Sequence, residues 1–506
     1  MFPEREFFRF TVSEGNHRIH PAPGDLFPAQ GKHIVRDIHA DDLPGVEAHC
    51  RDCKITGARG HIKNPSRPEV QEKFNGGTSP VEVHPCAEQV VQQVVPVGNG
   101  IKELAYVGLI HPKKGTKLTS HFQFRSLPIP PPRIDFHFFI AYSSSMNARI
   151  HVRLPARSDR SYDVLIRPGA LDRLPEILAK RHRGATLFVV TDTNVGRLYG
   201  RKVHHLLVSA GLSAVLVDVP AGERSKSVEC YHALAGVLLR SGIRRNSVVV
   251  ALGGGVVGDL AGFVAATVLR GVEYVQVPTS LLAQVDSSVG GKTGIDHVMG
   301  KNLIGAFHQP SLVVIDPEVL RTLPPAEFRN GLAEVVKIAA ALDARFFRTL
   351  ERCAPALTRT DTPLLTRIIR TAVGLKAGVV QRDEREAGLR KALNLGHTIG
   401  HAVESASGYR LRHGEAVAIG LILEGRLAVT CGVLSVNDHL RLLRLLEAFG
   451  LPTRLPRFVD RKEVLAGLAA DKKNRSAMPL FVLPKKIGMS AIGVTLPADV
   501  IRAGIV

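Results

Sequence analysis

The sequence predicts an α/β nucleotide-binding domain with a mostly parallel sheet, then an all-α domain, both preceded by a long non-globular N-terminal extension. Three observations carry this. Short apolar runs alternate with helical stretches between Tyr162 and Ala251, which is the pattern of a parallel sheet. One run, Ser247 to Ala251, ends in the turn Leu252-Gly253-Gly254-Gly255-Val256-Val257-Gly258-Asp259, where the backbone can approach a ligand closely. From about Pro325 the strand signals give way to amphipathic spacing.

Residues 1–145 show proline clusters such as Pro128 to Pro132 and no sustained period of 2 or 3.6. This stretch is expected to be disordered, or to lie outside the natural product with translation beginning near Met146. Cys50 and Cys53, with His49, His61, His84 and Cys86 nearby, match no standard zinc finger. Interspersed acidic residues argue against a transit peptide.

Residues 146–324 form the expected α/β domain, with strands at Tyr162 to Ile166, Thr186 to Val190, Ala214 to Val219 and Ser247 to Ala251. A helix is expected to begin near Asp259, and its free N–H groups and positive dipole end suit a pyrophosphate. Residues 325–506 form the helical domain, in which Val436, Leu440, Leu443 and Leu446 should share one helix face. A cleft between the two domains would enclose a ligand.

The chain of 506 residues carries a formal charge of +20, but its Lys and Arg are scattered and rarely lie beside aromatics, so neither nucleic acid nor an acidic membrane is the expected partner. No apolar run reaches membrane-span length and the N-terminus lacks a secretory h-region. Six dispersed cysteines favour a reducing cytoplasm over a disulfide framework.

Two constellations carry chemistry. After the glycine turn come Thr279-Ser280, the run from Gln284 to Thr293 with Asp286 and Lys292, and Gly300-Lys301-Asn302. Lysines, an aspartate and an asparagine beside glycines suit a phosphorylated polyol. In the helical half, Glu334 and Lys337 lie three apart on one helix face. His397 and His401 lie four apart, and His413 and Glu415 follow. Imidazoles with a carboxylate fit a divalent metal with open positions, and the spacing leaves open which two of the three histidines bind.

Quoted in full, GGGVVGDLAGFVAATVLRG, VPTSLLAQVDSSVGGKTGID, GKNLIGAFHQP, GLAEVVK, DEREAGLRKALNLGHTIGHA, HGEAVAIG and DKK resemble, in order and spacing, the 3-dehydroquinate synthase family, from about Met146 to the C-terminus. That family is related to iron-dependent alcohol and glycerol dehydrogenases and to other sugar-phosphate cyclases. The resemblance implies a phosphate-eliminating lyase of the shikimate route to aromatic amino acids, a homodimer, bound NAD, and zinc or cobalt. It implies cofactor contacts at Asp192, Asn194, Ala221, Gly222, Glu223, Arg224, Ser225, Lys226, Gly254, Gly255, Val256, Val257, Gly258, Asp259, Thr279, Ser280, Lys292, Lys301, Val319, Leu320, Arg321 and Thr322. It implies metal ligands at Glu334, His397 and His413, leaving His401 outside the metal shell. Lys292, Asn302, Asn394, His401 and Lys472 would surround the substrate phosphate, with Arg270 reaching in from a partner subunit. Lys376 and Arg390 would meet a carboxylate, and Asp286 and Lys337 the hydroxyls near the metal.

The competing readings are a cyclase acting on a sugar phosphate without a carboxylate, such as sedoheptulose 7-phosphate or glucose 6-phosphate, an NAD-linked alcohol dehydrogenase, and a basic nucleic-acid or metal-binding protein using the N-terminal segment. The expected Lys376 and Arg390 pair argues against the first, and the number of anion-binding groups against the second.

Overall fold

The computed structural model describes residues 10–12, 147–153, 160–470 and 479–505. Apart from Phe10–Val12, the N-terminal segment with its Cys50 and Cys53 cluster lies outside the described residues, as does Lys472.

Among the described residues there are twelve strands: β1 Phe10–Val12, β2 Ala148–Val152, β3 Tyr162–Ile166, β4 Leu187–Asp192, β5 Ala214–Val219, β6 Val248–Gly253, β7 Glu273–Pro278, β8 Lys292–His297, β9 Gly300–Phe307, β10 Leu312–Ile315, β11 Phe481–Lys486 and β12 Met489–Val494. Eight of them form one sheet in the order β1-β5-β4-β6-β7-β10-β3-β2. The six inner strands run parallel, and β1 and β2 close the two edges antiparallel.

Both faces of this sheet are covered. On β4, Phe188 and Val190 join Val249 and Ala251 in one core, while Leu187 and Val189 join Val248, Val250 and Leu252 in the other. Burial on both faces is why these strands read as continuous apolar runs rather than as alternating ones. Each fully buried valine or leucine contributes about 1.5–3 kcal/mol.

The chain passes from β4 to β5 on one side and returns to β6 on the other side of β4. The carboxyl ends of β4 and β6 therefore flank a topological switch point, the place where open α/β sheets bind ligands. Thr191 pairs with Leu252, so the turns after Asp192 and Gly253 open at one level.

The helices of the sheet half are α1 Leu174–Arg181, the single turn α2 Thr193–Val195, α3 Arg201–Ser209, α4 Val228–Arg240 and α5 Gly255–Thr267. Helix α5 begins at Gly255 rather than near Asp259, because Gly254 already holds the extended N-cap conformation. The second half supplies α6 Pro325–Leu342, α7 Ala344–Cys353, α8 Thr362–Arg382, α9 His397–Ala406, α10 His413–Thr430, α11 Val436–Ala448, α12 Arg461–Ala470 and α13 Ala498–Ile505. Helix α6 starts on Pro325, with Glu327 in its first turn, and ends at Asp343, whose Oδ1 caps α7 by accepting from the N–H groups of Arg345 and Phe346 at 2.7 Å.

Two details differ from the sequence reading. The core face of α11 is Leu442, Leu445 and Leu446, while Val436 at the first helical position and Leu440 stay exposed. The helical half also carries the hairpin of β11 and β12, whose first four residues are buried without alternation. Among the described residues no helix is long and apolar enough to cross a membrane.

Candidate active site

At the switch point, Asp192 caps its own turn, its Oδ1 accepting from Asn194 N at 2.8 Å and Val195 N at 3.0 Å. Across the crevice Gly254 caps α5, and Thr279 N donates to Gly253 O at 2.9 Å, which ties the start of the Thr279–Ser280 turn to the glycine turn. Ala221 N donates to Thr193 Oγ1 at 3.3 Å, bringing the turn from Ala221 to Ser225 alongside. Lys226 is buried there and donates to Asp259 Oδ2 at 2.8 Å and to the Asn302 side chain. Thr322 Oγ1 and Val319 O hydrogen-bond to Tyr199, and Leu320 is buried, whereas Arg321 turns outward to Glu318 and Thr362. The expected cofactor residues of the Asp192, Ala221 to Lys226, Gly254 to Asp259, Thr279 and Val319 to Thr322 turns thus edge the carboxyl end of the sheet, with a helix start that has no side-chain cap among them.

Beside them lies a cluster of charge inside the helical half. Glu334 of α6 is 0% exposed, so its carboxylate depends on the side chains that face it inside the protein. Its Oε1 faces His413 Nε2 at 3.2 Å and His397 Nε2 at 3.7 Å, and Lys337 forms an ion pair with Oε2. The ligand atoms of Glu334, His397 and His413 lie within 4.8 Å of one another. A fully buried carboxylate and two imidazole nitrogens around one point fit a divalent cation such as zinc.

The two imidazoles differ in protonation. Burial, helped by Lys337 and the neighbouring imidazoles, pushes His397 well below the usual histidine range, so its lone pair is free. Burial also acts to lower His413, but Glu334 and Glu404 overcome it and raise the imidazole to about 9 in the absence of a metal. Glu404 Oε2 lies 3.3 Å from His413 Nδ1, which turns Nε2 toward Glu334. His401, Glu404 and His413 form a second trio of similar spacing. There, however, Glu404 is already committed to Lys301 at 2.8 Å and to His413.

Asp286 sits between Lys337 Nζ, at 3.2 Å, and Lys376, which contacts both its carboxylate and its carbonyl oxygen. Burial acts to raise the Asp286 carboxyl, and the two ammonium groups outweigh it and hold it well below the usual range. Burial lowers Lys376 to about 8 in spite of Asp286, and Arg390 adds to the lowering. Arg390 is buried, donating from Nη2 to Gly290 O at 3.0 Å and from Nη1 to the Glu384 carbonyl, so its guanidinium braces the turn before Lys292. Tyr162 of β3 braces it from the other side, accepting from Gly290 N at 3.0 Å.

Of the residues expected around a phosphate, the structure brings Lys292 and Asn394 together through the carboxylate of Glu386, which receives a hydrogen bond from each. His401 is exposed, its ring 5.2 Å from His397 and 6.0 Å from His413. Asn302 instead lies against Lys226 on the nucleotide side. Arg270 is exposed in a left-handed turn ahead of β7, at the opposite end of the sheet from the switch point of its own chain.

Glu386 and Glu404 are absent from the sequence-derived site. Glu404 stands three residues after His401, so helical spacing alone places it on that face. Glu386 gives no such signal, since its partners become apparent only in the folded chain.

Comparison with known proteins agrees with this architecture. Residues 216–330 match the model of the 3-dehydroquinate synthase N-terminal region, and residues 331–474 match that of its C-terminal region. A 3-dehydroquinate synthase of Nostoc punctiforme is 46% identical over 360 residues, covering 71% of this chain and 98% of that protein. One of Geobacter metallireducens is 49% identical over 333 residues, covering 65% and 92%. Among solved structures, 2-epi-5-epi-valiolone synthase of Streptomyces hygroscopicus, with NAD+ and Zn2+ bound, is 31% identical with a TM-score of 0.65, covering 70% of this chain and 98% of that one. A 2-deoxy-scyllo-inosose synthase complexed with carbaglucose-6-phosphate, NAD+ and Co2+ shares the fold at 23% identity, with a TM-score of 0.63 and coverage of 71% and 99%. With both family regions matched in order and nearly the whole length of its relatives covered, the chain belongs to the 3-dehydroquinate synthase family.

Proposed function

We propose that this chain converts 3-deoxy-D-arabino-heptulosonate 7-phosphate to 3-dehydroquinate and inorganic phosphate, with residues 146–324 holding NAD and residues 325–506 holding the metal and most of the substrate. The observation that carries the reading is the buried junction of Glu334, His397 and His413, with Lys337, Asp286 and Lys376 packed against it. When bound, NAD supplies a hydride acceptor that is regenerated within the cycle, and zinc, or cobalt in its place, a Lewis acid for a substrate oxygen.

The chain's own residues bind and orient. Glu334, His397 and His413 hold the cation, and the Asp192, Ala221 to Lys226 and Gly254 to Asp259 turns hold the dinucleotide. Asp286 and Lys337 engage substrate hydroxyls beside the metal, held ready by their own ion pair at 3.2 Å. Lys292, Asn394, His401 and Lys472 receive the phosphate, displacing the Glu386 carboxylate from Lys292 and Asn394. Lys376 takes the substrate carboxylate, while Arg390 adds positive charge and fixes the Gly290 turn. Departing phosphate can accept the neighbouring carbon-bound proton, so a site rich in cations and amides needs no strong protein base.

Arg270 lies at the far end of its own sheet, which supports its service to a partner's site in a homodimer. Cys230, Cys353 and Cys431 are free thiols, in keeping with a cytoplasmic enzyme. The test is phosphate release by the full chain with NAD and zinc, with the carbocyclic product identified by mass. Stoichiometric product without net NADH, lost on chelation, supports the reading. Turnover of sedoheptulose 7-phosphate or glucose 6-phosphate in place of the heptulosonate overturns the substrate assignment.

A further inference from the structure

Helix α9 opens on His397 and carries His401 one turn later, yet it has no capping side chain of its own. Its N-cap is Gly396, in the left-handed conformation at φ +77°. A helix start leaves several N–H groups without intrahelical partners, and here that start is buried.

The acceptors come from the next helix. Glu424, about three turns along α10 from His413, is 0% exposed and accepts from Gly396 N at 2.6 Å on Oε2 and from Ile399 N at 3.0 Å on Oε1. Burial pushes this carboxyl up to about 8, against the backbone N–H groups of Ile399, Gly396 and Thr398, which favour its ionised form. Nothing else in the site uses this side chain.

The two helices approach closely enough for this contact because glycine stands where they touch. A Cβ on Gly420 would collide with the Gly396 carbonyl oxygen, and one on Gly396 would lie 2.7 Å from the Leu421 side chain. Helix α10 therefore brings His413 at its own first turn and, farther along, the acceptor for the first turn of α9. The two histidines that face Glu334 each open a helix, and one carboxylate from farther along the second helix holds the start of the first.

We propose that Glu424 is a positioning residue for the metal site: it fixes the first turn of α9 against α10, so that His397 and His413 meet Glu334 at coordinating distance. The inference rests on the metal-site reading above. It assigns Glu424 no contact with substrate or cofactor. Its effect is on ligand geometry, and partners that orient metal ligands typically govern metal affinity by about 10- to 100-fold.

The test is titration of the full chain with Co2+, whose visible absorption reports ligand number and geometry, in wild type, E424A, E424Q and H413A. NAD affinity, set on the sheet, serves as the control for folding. We expect E424A to weaken Co2+ binding at least tenfold and to alter the absorption band, with NAD affinity unchanged. E424Q should fall between E424A and wild type, because its amide keeps one acceptor oxygen but turns an NH2 toward a backbone N–H. If wild type and H413A bind Co2+ alike, or neither binds, the metal-site reading itself fails. If H413A loses Co2+ while E424A and E424Q keep the wild-type affinity and spectrum, Glu424 is only a packing residue and the inference is overturned. Should E424A fail to bind NAD, and so fail to fold, E424Q decides by the same criterion.

Discussion

Lys301 Nζ lies 2.8 Å from Glu404 Oε1, joining strand β9 to helix α9. The same ammonium faces Glu223 at 3.4 Å, and Glu404 in turn orients His413. One partly buried cation therefore links the nucleotide side to an imidazole of the metal site. Charge-assisted hydrogen bonds of this kind contribute about 1.5–3 kcal/mol. K301M should weaken both NAD and metal binding by roughly tenfold or more, read by equilibrium dialysis of each ligand alone. A loss confined to one ligand would show that the linkage does not operate.

Metal should stabilise the fold, since it relieves a fully buried carboxylate. A ligand at a hundred times its dissociation constant adds about 2.7 kcal/mol. Calorimetry of the metal-free chain should show the melting temperature rising by a few degrees when zinc is added. E334A should abolish that rise.

Activity should fall as pH rises through about 8. Burial lowers Lys376 to that value, so the ammonium form dominates below it and the neutral amine above it. Only the ammonium attracts a carboxylate, so kcat/KM should decline on the alkaline side with a slope near one proton. K376R, charged throughout the range, should remove that limb at some cost in overall rate.

Gly420→Ala should destabilise the chain. The new methyl would meet the Gly396 carbonyl oxygen, a backbone atom that no rotamer change can move. Overpacking of this kind costs about 1–3 kcal/mol, and more where backbone must shift. Thermal unfolding should register a melting point several degrees lower, with metal affinity reduced in parallel.

Much of the sheet was legible because parallel strands buried on both faces leave unbroken apolar runs; β3 and β5 span the expected residues. The β8 and β9 hairpin was not, since its partly exposed strands and the exposed Val298 and Met299 at its tip carry no such run. For α11, one-face spacing was right in kind, but the face was rotated, because tertiary packing rather than periodicity chooses which stripe is buried.

In the site, spacing alone left three histidines equivalent. The family resemblance separated His397 and His413 from His401, and Glu334 faces the first two at 3.7 and 3.2 Å. Glu386 escaped because its partner Lys292 lies 94 positions away in the chain, whereas Glu404 shares a helix face with His401 and only its partner Lys301, 103 positions away, is hidden from spacing. Arg390 shows the converse: the family resemblance implied a ligand for the substrate carboxylate, yet two backbone carbonyls accept from its guanidinium.

Glu334 is in α6, near the start of the helical half, while His397 and His413 open helices much later in the chain. On the ribosome, the sheet and its glycine turn emerge long before those imidazoles are made, and domains generally begin to fold in the order of synthesis. A nascent chain therefore gains its dinucleotide crevice first and its metal cage last. Until α10 has been translated, the Glu334 carboxylate, fully buried in the finished fold, lacks one of the two imidazoles that face it.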